Sequence, residues 1–184
     1  MNSFNFVIRD AIKTDISACL ALNHQYESDY VWRMMVQAIP PEGHQVTFRK
    51  DGLPRAMQSE HPVDELRLHL ALPQENCYLV AVNKDDATIL GYLTMRYDLI
   101  HQIALIQDIV VDQEFRGVGI GSRLLGIARQ WAAEHDAGKL MVEIPTTNYP
   151  AIHFIQNHGL RFCGFNDQYF RNQDISVFFG QTIH

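Results

Sequence analysis

Positive charge is in short supply, with 15 lysines and arginines against 21 aspartates and glutamates and a formal charge of −6. Sequence-independent nucleic-acid binding needs a clustered positive surface, so a nucleic-acid partner is not expected. Cysteine is scarce as well. Cys19, Cys77 and Cys163 are odd in number, far apart and free of any C-x-x-C pair. That excludes a disulfide framework and a structural zinc site, and no metal is expected. The three read as buried or neutral thiols in a reducing compartment. No apolar run approaches the ~18 residues of a membrane span. The opening MNSFNFVIRDAIKTD has no basic stretch leading into an apolar one, so it does not read as a signal peptide. Neither repeats nor low-complexity tracts occur. The expectation is a soluble cytoplasmic protein without membrane contact. Its single domain over residues 1–184 is long enough to bury its own core without staples.

Hydrophobic spacing supplies a provisional element order. Phe4, Phe6 and Ile8 alternate as in a strand, and Thr14 or Asp15 can cap a helix carrying Ile16, Leu20 and Ala21. Val31, Met34, Met35 and Ala38 have helical spacing over about residues 28–38, ended by Pro40-Pro41. Val46 and Phe48 suggest a strand, and Asp51-Gly52 a turn. Residues 51–75 are broken by Pro54, Pro62 and Pro73, with a short helix expected over Leu66–Leu72. Strands follow at 78–82, 89–97 and 105–111, then the strongest helix at 119–135 with Gly138 as its stop. A strand at 140–144 precedes a helix capped by Asn148, carrying Pro150 in its first turn and ending at Gly159. Strands at 161–165 and 175–179 close the chain. Helices interleaved with strands and hairpins make a mixed α/β fold.

The most informative segment is Arg116-Gly117-Val118-Gly119-Ile120-Gly121-Ser122, between a strand and a long helix. Alternating glycines let a backbone approach a ligand closely, and the first N–H groups of a helix are unpaired and positively polarised. Such a loop is an anion cradle suited to a pyrophosphate. It has no lysine for a Walker A loop, and G-x-G-x-G departs from the Rossmann G-x-G-x-x-G. Glu143 lies near the end of the next strand, where a Rossmann ribose ligand would sit, which leaves a dinucleotide as an alternative.

The R-x-x-G-x-G of Arg116–Gly121, followed by Asn148, Ala151, Phe154 and Gly159, resembles the acetyl-CoA-binding motifs of the GCN5-related N-acetyltransferases, the GNAT superfamily. Within it, residues 105–179 look closest to the streptothricin acetyltransferase-like branch. The likeness is specific over about residues 76–179, which would be the acetyl-CoA-binding half, with about 10–75 on the acceptor side. The resemblance implies a central, mostly antiparallel mixed sheet of about six to seven strands, splayed in the middle and flanked by about four helices. It implies acetyl-CoA as co-substrate, its pyrophosphate on Arg116, Gly117, Val118, Gly119, Ile120, Gly121 and Ser122. The pantetheine arm would run along Ile109, Val110 and Val111 with a contact at Asn148, which can equally serve only as a helix cap. Dimers are common in the family, so a homodimer is an open possibility.

The implied reaction is direct acetyl transfer to the primary amine of a small molecule, a partner that the net negative charge suits when the amine is cationic. A protonated amine cannot attack, so a base must take a proton. Asp108 and Glu143 are carboxylates in otherwise apolar strands and are the candidate catalytic residues. His101 and His153 are further candidates for the base. Ile155 stands where the family carries a general-acid tyrosine, leaving Tyr149 and Tyr169 as other donors. That departure keeps a second reading open, a GNAT-fold regulator that holds acyl-CoA without turnover. Glu27, Asp29 and Tyr30 are candidates for recognising a cation, and Tyr26, Tyr30, Trp32 and Phe48 for lining an acceptor pocket.

Overall fold

The computed structural model describes residues 5–183; Phe4, expected to open the first strand, lies outside them. Among the described residues, nine strands and four α-helices follow one another. The order is β1 (Phe6–Asp10), α1 (Ile16–Leu20), β2 (Gln25–Ile39), β3 (Gly43–Glu60), α2 (Glu65–Ala71), β4 (Cys77–Asn83) and β5 (Ile89–Asp98). It continues with β6 (Ile103–Val111), α3 (Ile120–Glu134), β7 (Lys139–Pro145), α4 (Tyr149–Asn157), β8 (Arg161–Asn166) and β9 (Ser176–Thr182). Seven strands form one sheet in the order β1-β4-β5-β6-β7-β9-β8, and β2 and β3 form a separate long hairpin. Every pairing in the sheet is antiparallel except β6 with β7.

The sheet is covered on both faces, which is why β4 is an unbroken apolar run. Its Cys77, Leu79 and Ala81 join a core with Leu124, Leu125 and Ala128 of α3 and Ile152 and Ile155 of α4. The alternate residues Tyr78, Val80 and Val82 join Ile16 and Cys19 of α1 and Leu68 and Ala71 of α2. Leu124 and Leu125 are fully buried, each contributing roughly 1.5–3 kcal/mol of transfer free energy. Helix α3 ends where Asp136 adopts a left-handed conformation (φ 56°), two residues before the expected Gly138. Burial pushes the Cys19 thiol up to about 11 and the Cys77 thiol up to about 12; Cys163 is exposed, its pKa also raised by partial burial.

The helix expected over residues 28–38 is corrected to strand β2, paired antiparallel with β3 from Gln25↔Glu60 to Ile39↔Gly43. Asp51-Gly52 lies inside β3 rather than in a turn, next to a shift in pairing between Ser28 and Tyr30. The hairpin is anchored by Trp32, whose N–H donates to the Thr146 carbonyl at 2.9 Å. Its ring sits 5.5–6.0 Å from those of Phe48, Phe162 and Phe179. Farther along, Met35, Val36, Ile39 and Val46 are exposed.

The centre of the sheet opens. Strands β6 and β7 pair only from Ile103↔Lys139 to Ile106↔Val142 and then part. The cause is visible in β6, where Thr94 faces Asp108 but Met95 faces Ile106, so Gln107 is an extra, bulged residue. A one-residue insertion exchanges the two faces of a strand. Ile106 packs in the α3 core, whereas Val110, of the same parity, packs in the α1–α2 core. The bulge therefore turns Asp108 towards α2 and leaves one edge of Gln107–Val111 without a strand partner in the sheet.

Candidate active site

A cleft of about 380 Å³ follows that free edge. It runs from the Arg116–Ser122 loop, past Ile109, Val110 and Val111, to Asn148, Pro150, Ala151 and Phe154 of α4. Ten of the eleven residues expected to hold the co-substrate line it; the remaining one, Val118, is exposed and not part of the lining. Gly117 (φ 80°) and Gly119 (φ 95°) occupy conformations that L side chains rarely adopt, and the space a Cβ would take at either is open. The floor of the cradle is thus bare backbone at the start of α3, as an anion such as a pyrophosphate requires. Gly121 is different, since a Cβ there would meet the Phe154 ring at 3.4 Å.

Side chains hold the cradle in shape. Arg116 donates from Nε to the Val111 carbonyl at 2.9 Å and from its terminal nitrogen to the Asn23 carbonyl at 3.3 Å. Burial lowers its pKa from the ordinary arginine value, with Asp112 acting the other way. His158 bonds the Phe154 carbonyl through Nδ1 at 2.7 Å, which leaves Nε2 to accept from the Ser122 hydroxyl at 2.9 Å. Asn148 accepts the Ala151 N–H at 3.1 Å, capping α4, and also lines the cleft.

Where β6 and β7 part, a charged network fills the wedge. Asp108 is completely buried. Its Oδ1 meets Nε2 of His61 at 2.8 Å, and its Oδ2 accepts from Nε of Arg67 at 3.1 Å and from the Thr94 hydroxyl. Burial would push its carboxyl up; the hydrogen bond and charge of His61, the Arg67 charge and the Thr94 hydroxyl outweigh that and hold it below the ordinary aspartate value. Arg67 also donates to the bulged Gln107 carbonyl at 2.8 Å and reaches Glu143 Oε1 at 3.4 Å. Glu143 accepts a hydrogen bond from the Tyr169 hydroxyl. Burial raises the Glu143 carboxyl above its ordinary value, against the pull of Tyr169 and Arg67. The Tyr169 hydroxyl is pushed up to about 12 by burial and by its bond to Glu143. Asp64 caps α2 by accepting the Arg67 N–H at 3.1 Å, which fixes the root of the arginine.

The other candidates disperse. His101 pairs with Asp98 at 2.9 Å, exposed in the turn after β5. His153 stacks on Tyr149 and bonds Asn157 at 3.1 Å. Ile155 is fully buried in the α3–α4 core. Glu27 accepts from Gln58 at 2.6 Å, and Asp29 is exposed beside the pairing shift. Trp32 and Phe48 belong to the hairpin's aromatic cluster. Tyr26 lines the cleft, while the Tyr30 and Tyr149 rings hold the Lys50 ammonium at 3.8 and 4.5 Å. Sequence reading missed His24, His61 and Arg67. His24 and His61 line the cleft from the two ends of the β2–β3 hairpin, and only knowledge that residues 28–38 form a strand brings them together.

Comparison with known proteins follows the same outline. The acetyltransferase (GNAT) family profile matches residues 44–160. A streptothricin acetyltransferase of Streptomyces lavendulae is 38% identical over 79 residues, 43% of this chain and 42% of that protein. Streptothricin acetyltransferase A of Bacillus subtilis (strain 168) is 42% identical over 55 residues, 30% of this chain and 32% of that protein. The matched stretches thus span less than half of these curated relatives. The crystal structure of a nourseothricin acetyltransferase superposes with a TM-score of 0.81 at 25% identity, covering 97% of this chain and 99% of that one. A structure of a streptothricin acetyltransferase from Bacillus anthracis str. Ames, in complex with acetyl coenzyme A, gives 0.77 at 17% identity over 97% and 99% of the two chains. With the glycine cradle, the split strands and the family profile in agreement, this chain belongs to the GNAT acetyltransferase family.

Proposed function

We propose that the protein transfers the acetyl group of acetyl-CoA to a primary amine of a small cationic molecule. The observation that carries this reading is the junction of two features. A backbone-floored anion cradle opens into a cleft along the free edge of β6, and that edge runs to a wedge holding two carboxylates, Asp108 and Glu143. Acetyl-CoA fits this arrangement, with its pyrophosphate on residues 116–122 and its arm along Ile109–Val111, where unpaired strand edge can bond an extended chain. What it supplies is a thioester, open to attack at its carbonyl carbon.

The residues of the wedge divide the remaining work. Glu143 is buried, and half-exposed Tyr169 bonded to it carries its negative field to the solvent side, where the acceptor ammonium would sit. Asp108 is enclosed and acts through the groups it holds. Streptothricin is the first acceptor to try, because two proteins named for acetylating it are 38% and 42% identical to stretches of this chain. The test is coenzyme A thiol release with acetyl-CoA and a panel of streptothricin, polyamines, aminoglycosides and amino acids. Turnover with an amine is expected. Tight coenzyme A binding with no release on any amine would replace the enzyme by an acyl-CoA-holding regulator.

A further inference from the structure

We propose that His61 is the catalytic base that takes the proton from the acceptor amine, with Asp108 as the positioning residue behind it. The inference rests on the acetyl-transfer reading above. His61 lies one residue past the end of β3, and its backbone N–H donates to the His24 carbonyl at 3.1 Å, which ties it to the start of β2. Among His61, Arg67, Thr94 and Asp108, only His61 lines the cleft, together with Ile109 and Val110.

The tautomer follows from the partner. Asp108, held ionised by Arg67 and Thr94, can only accept, so Nε2 of His61 carries a hydrogen towards Oδ1 at 2.8 Å. Nδ1 is then the nitrogen left to receive a proton, and it has no hydrogen bond among the described residues. Asp108 cannot serve directly, since both oxygens are engaged and the residue is closed to solvent. It instead fixes the ring and stabilises the imidazolium once formed. The charged or titratable groups around the ring are Asp108 from β6, Arg67 from α2, His24 from the start of β2 and Glu60 at the end of β3.

The step balances. The acceptor ammonium gives one proton to Nδ1, and the freed nitrogen lone pair bonds to the thioester carbonyl carbon. The carbon–sulfur bond breaks with its electron pair on sulfur, and the second nitrogen proton ends on that sulfur by way of water. His61 returns its proton to solvent, leaving amide, thiol and one released proton.

The test uses the full chain with acetyl-CoA and streptothricin, read by thiol release. His61→Gln is expected to lower kcat ~10²- to 10³-fold, with coenzyme A affinity and melting temperature unchanged. His61→Ala should regain rate with added imidazole, more so with more basic imidazoles. A His61→Gln rate within about threefold of wild type would overturn the proposal, as would a loss confined to KM. Failure of imidazole rescue, or loss of coenzyme A binding in both variants, would make His61 structural and likewise overturn it. No turnover by the wild-type protein on any amine would overturn the acetyl-transfer reading itself, and this inference with it.

Discussion

The β2–β3 hairpin and the β6–α3–β7–α4 segment make opposite uses of their residues. In the latter, apolar side chains are enclosed by two layers, and the cradle glycines Gly117, Gly119 and Gly121 with the buried carboxylates Asp108 and Glu143 make up the proposed site. At the hairpin's far end no second layer of described residues covers Met35, Val36, Ile39 and Val46, which meet solvent. Its value to the site lies in its roots, where Tyr26 and His24 at one end and His61 at the other close over the cleft. The contrast can be attacked from either side.

The largest effect is expected in the cradle. Gly119→Asp puts a carboxylate and a strained side chain at φ 95° where backbone must meet an anion, and coenzyme A affinity should fall about 100-fold or more by calorimetric titration. In the wedge, Glu143→Gln removes a charge while keeping a hydrogen-bond partner for Tyr169. It should lower kcat/KM about tenfold or more for a cationic acceptor, with coenzyme A affinity unchanged; an equal loss for both ligands would erase the division of labour. On the hairpin, Trp32→Ala removes a ring packed among Phe48, Phe162 and Phe179. A loss of about 2–3 kcal/mol is expected in urea unfolding, less than a fully buried tryptophan would cost because Trp32 is only half-buried.

The smallest effect is electrostatic and depends on pH. Arg9, bonded to Asp15 at 2.6 and 3.0 Å, holds that carboxyl below its ordinary value, against burial and with help from the Ile12 N–H. The folded state therefore binds fewer protons than the unfolded chain near that carboxyl. The stabilisation is complete above the unfolded value of ~4 and disappears as pH falls through the folded value. Asp15→Asn should cost about 1 kcal/mol at pH 7, kept small because Arg9 is 41% exposed, and the difference from wild type should shrink on acidification below about pH 4.

What the sequence revealed divides along the same line. The cradle was legible because its requirement is local: glycine at alternate positions before an amphipathic helix means one thing in backbone geometry. The strands flanking it were legible from continuous apolar runs. The hairpin was not, because Val31, Met34, Met35 and Ala38 satisfy helical spacing, and a two-stranded ribbon exposed at its tip imposes no alternation to contradict it. Asp108 and Glu143 stood out as carboxylates in apolar strands, and of their partners only Tyr169 did as well. Arg67 lies in a segment broken by prolines, and His61 directly precedes one of them, so both acquire meaning only when the Gln107 bulge turns Asp108 towards them.

A crystal structure with bound coenzyme A would test the cradle and the wedge together. The pyrophosphate is expected on the amides of residues 117–122, the arm paired with the free edge at Ile109–Val111, and the sulfur at the mouth of the wedge, facing His61. Coenzyme A bound away from the glycine loop, or a sulfur facing away from that wedge, would contradict that placement.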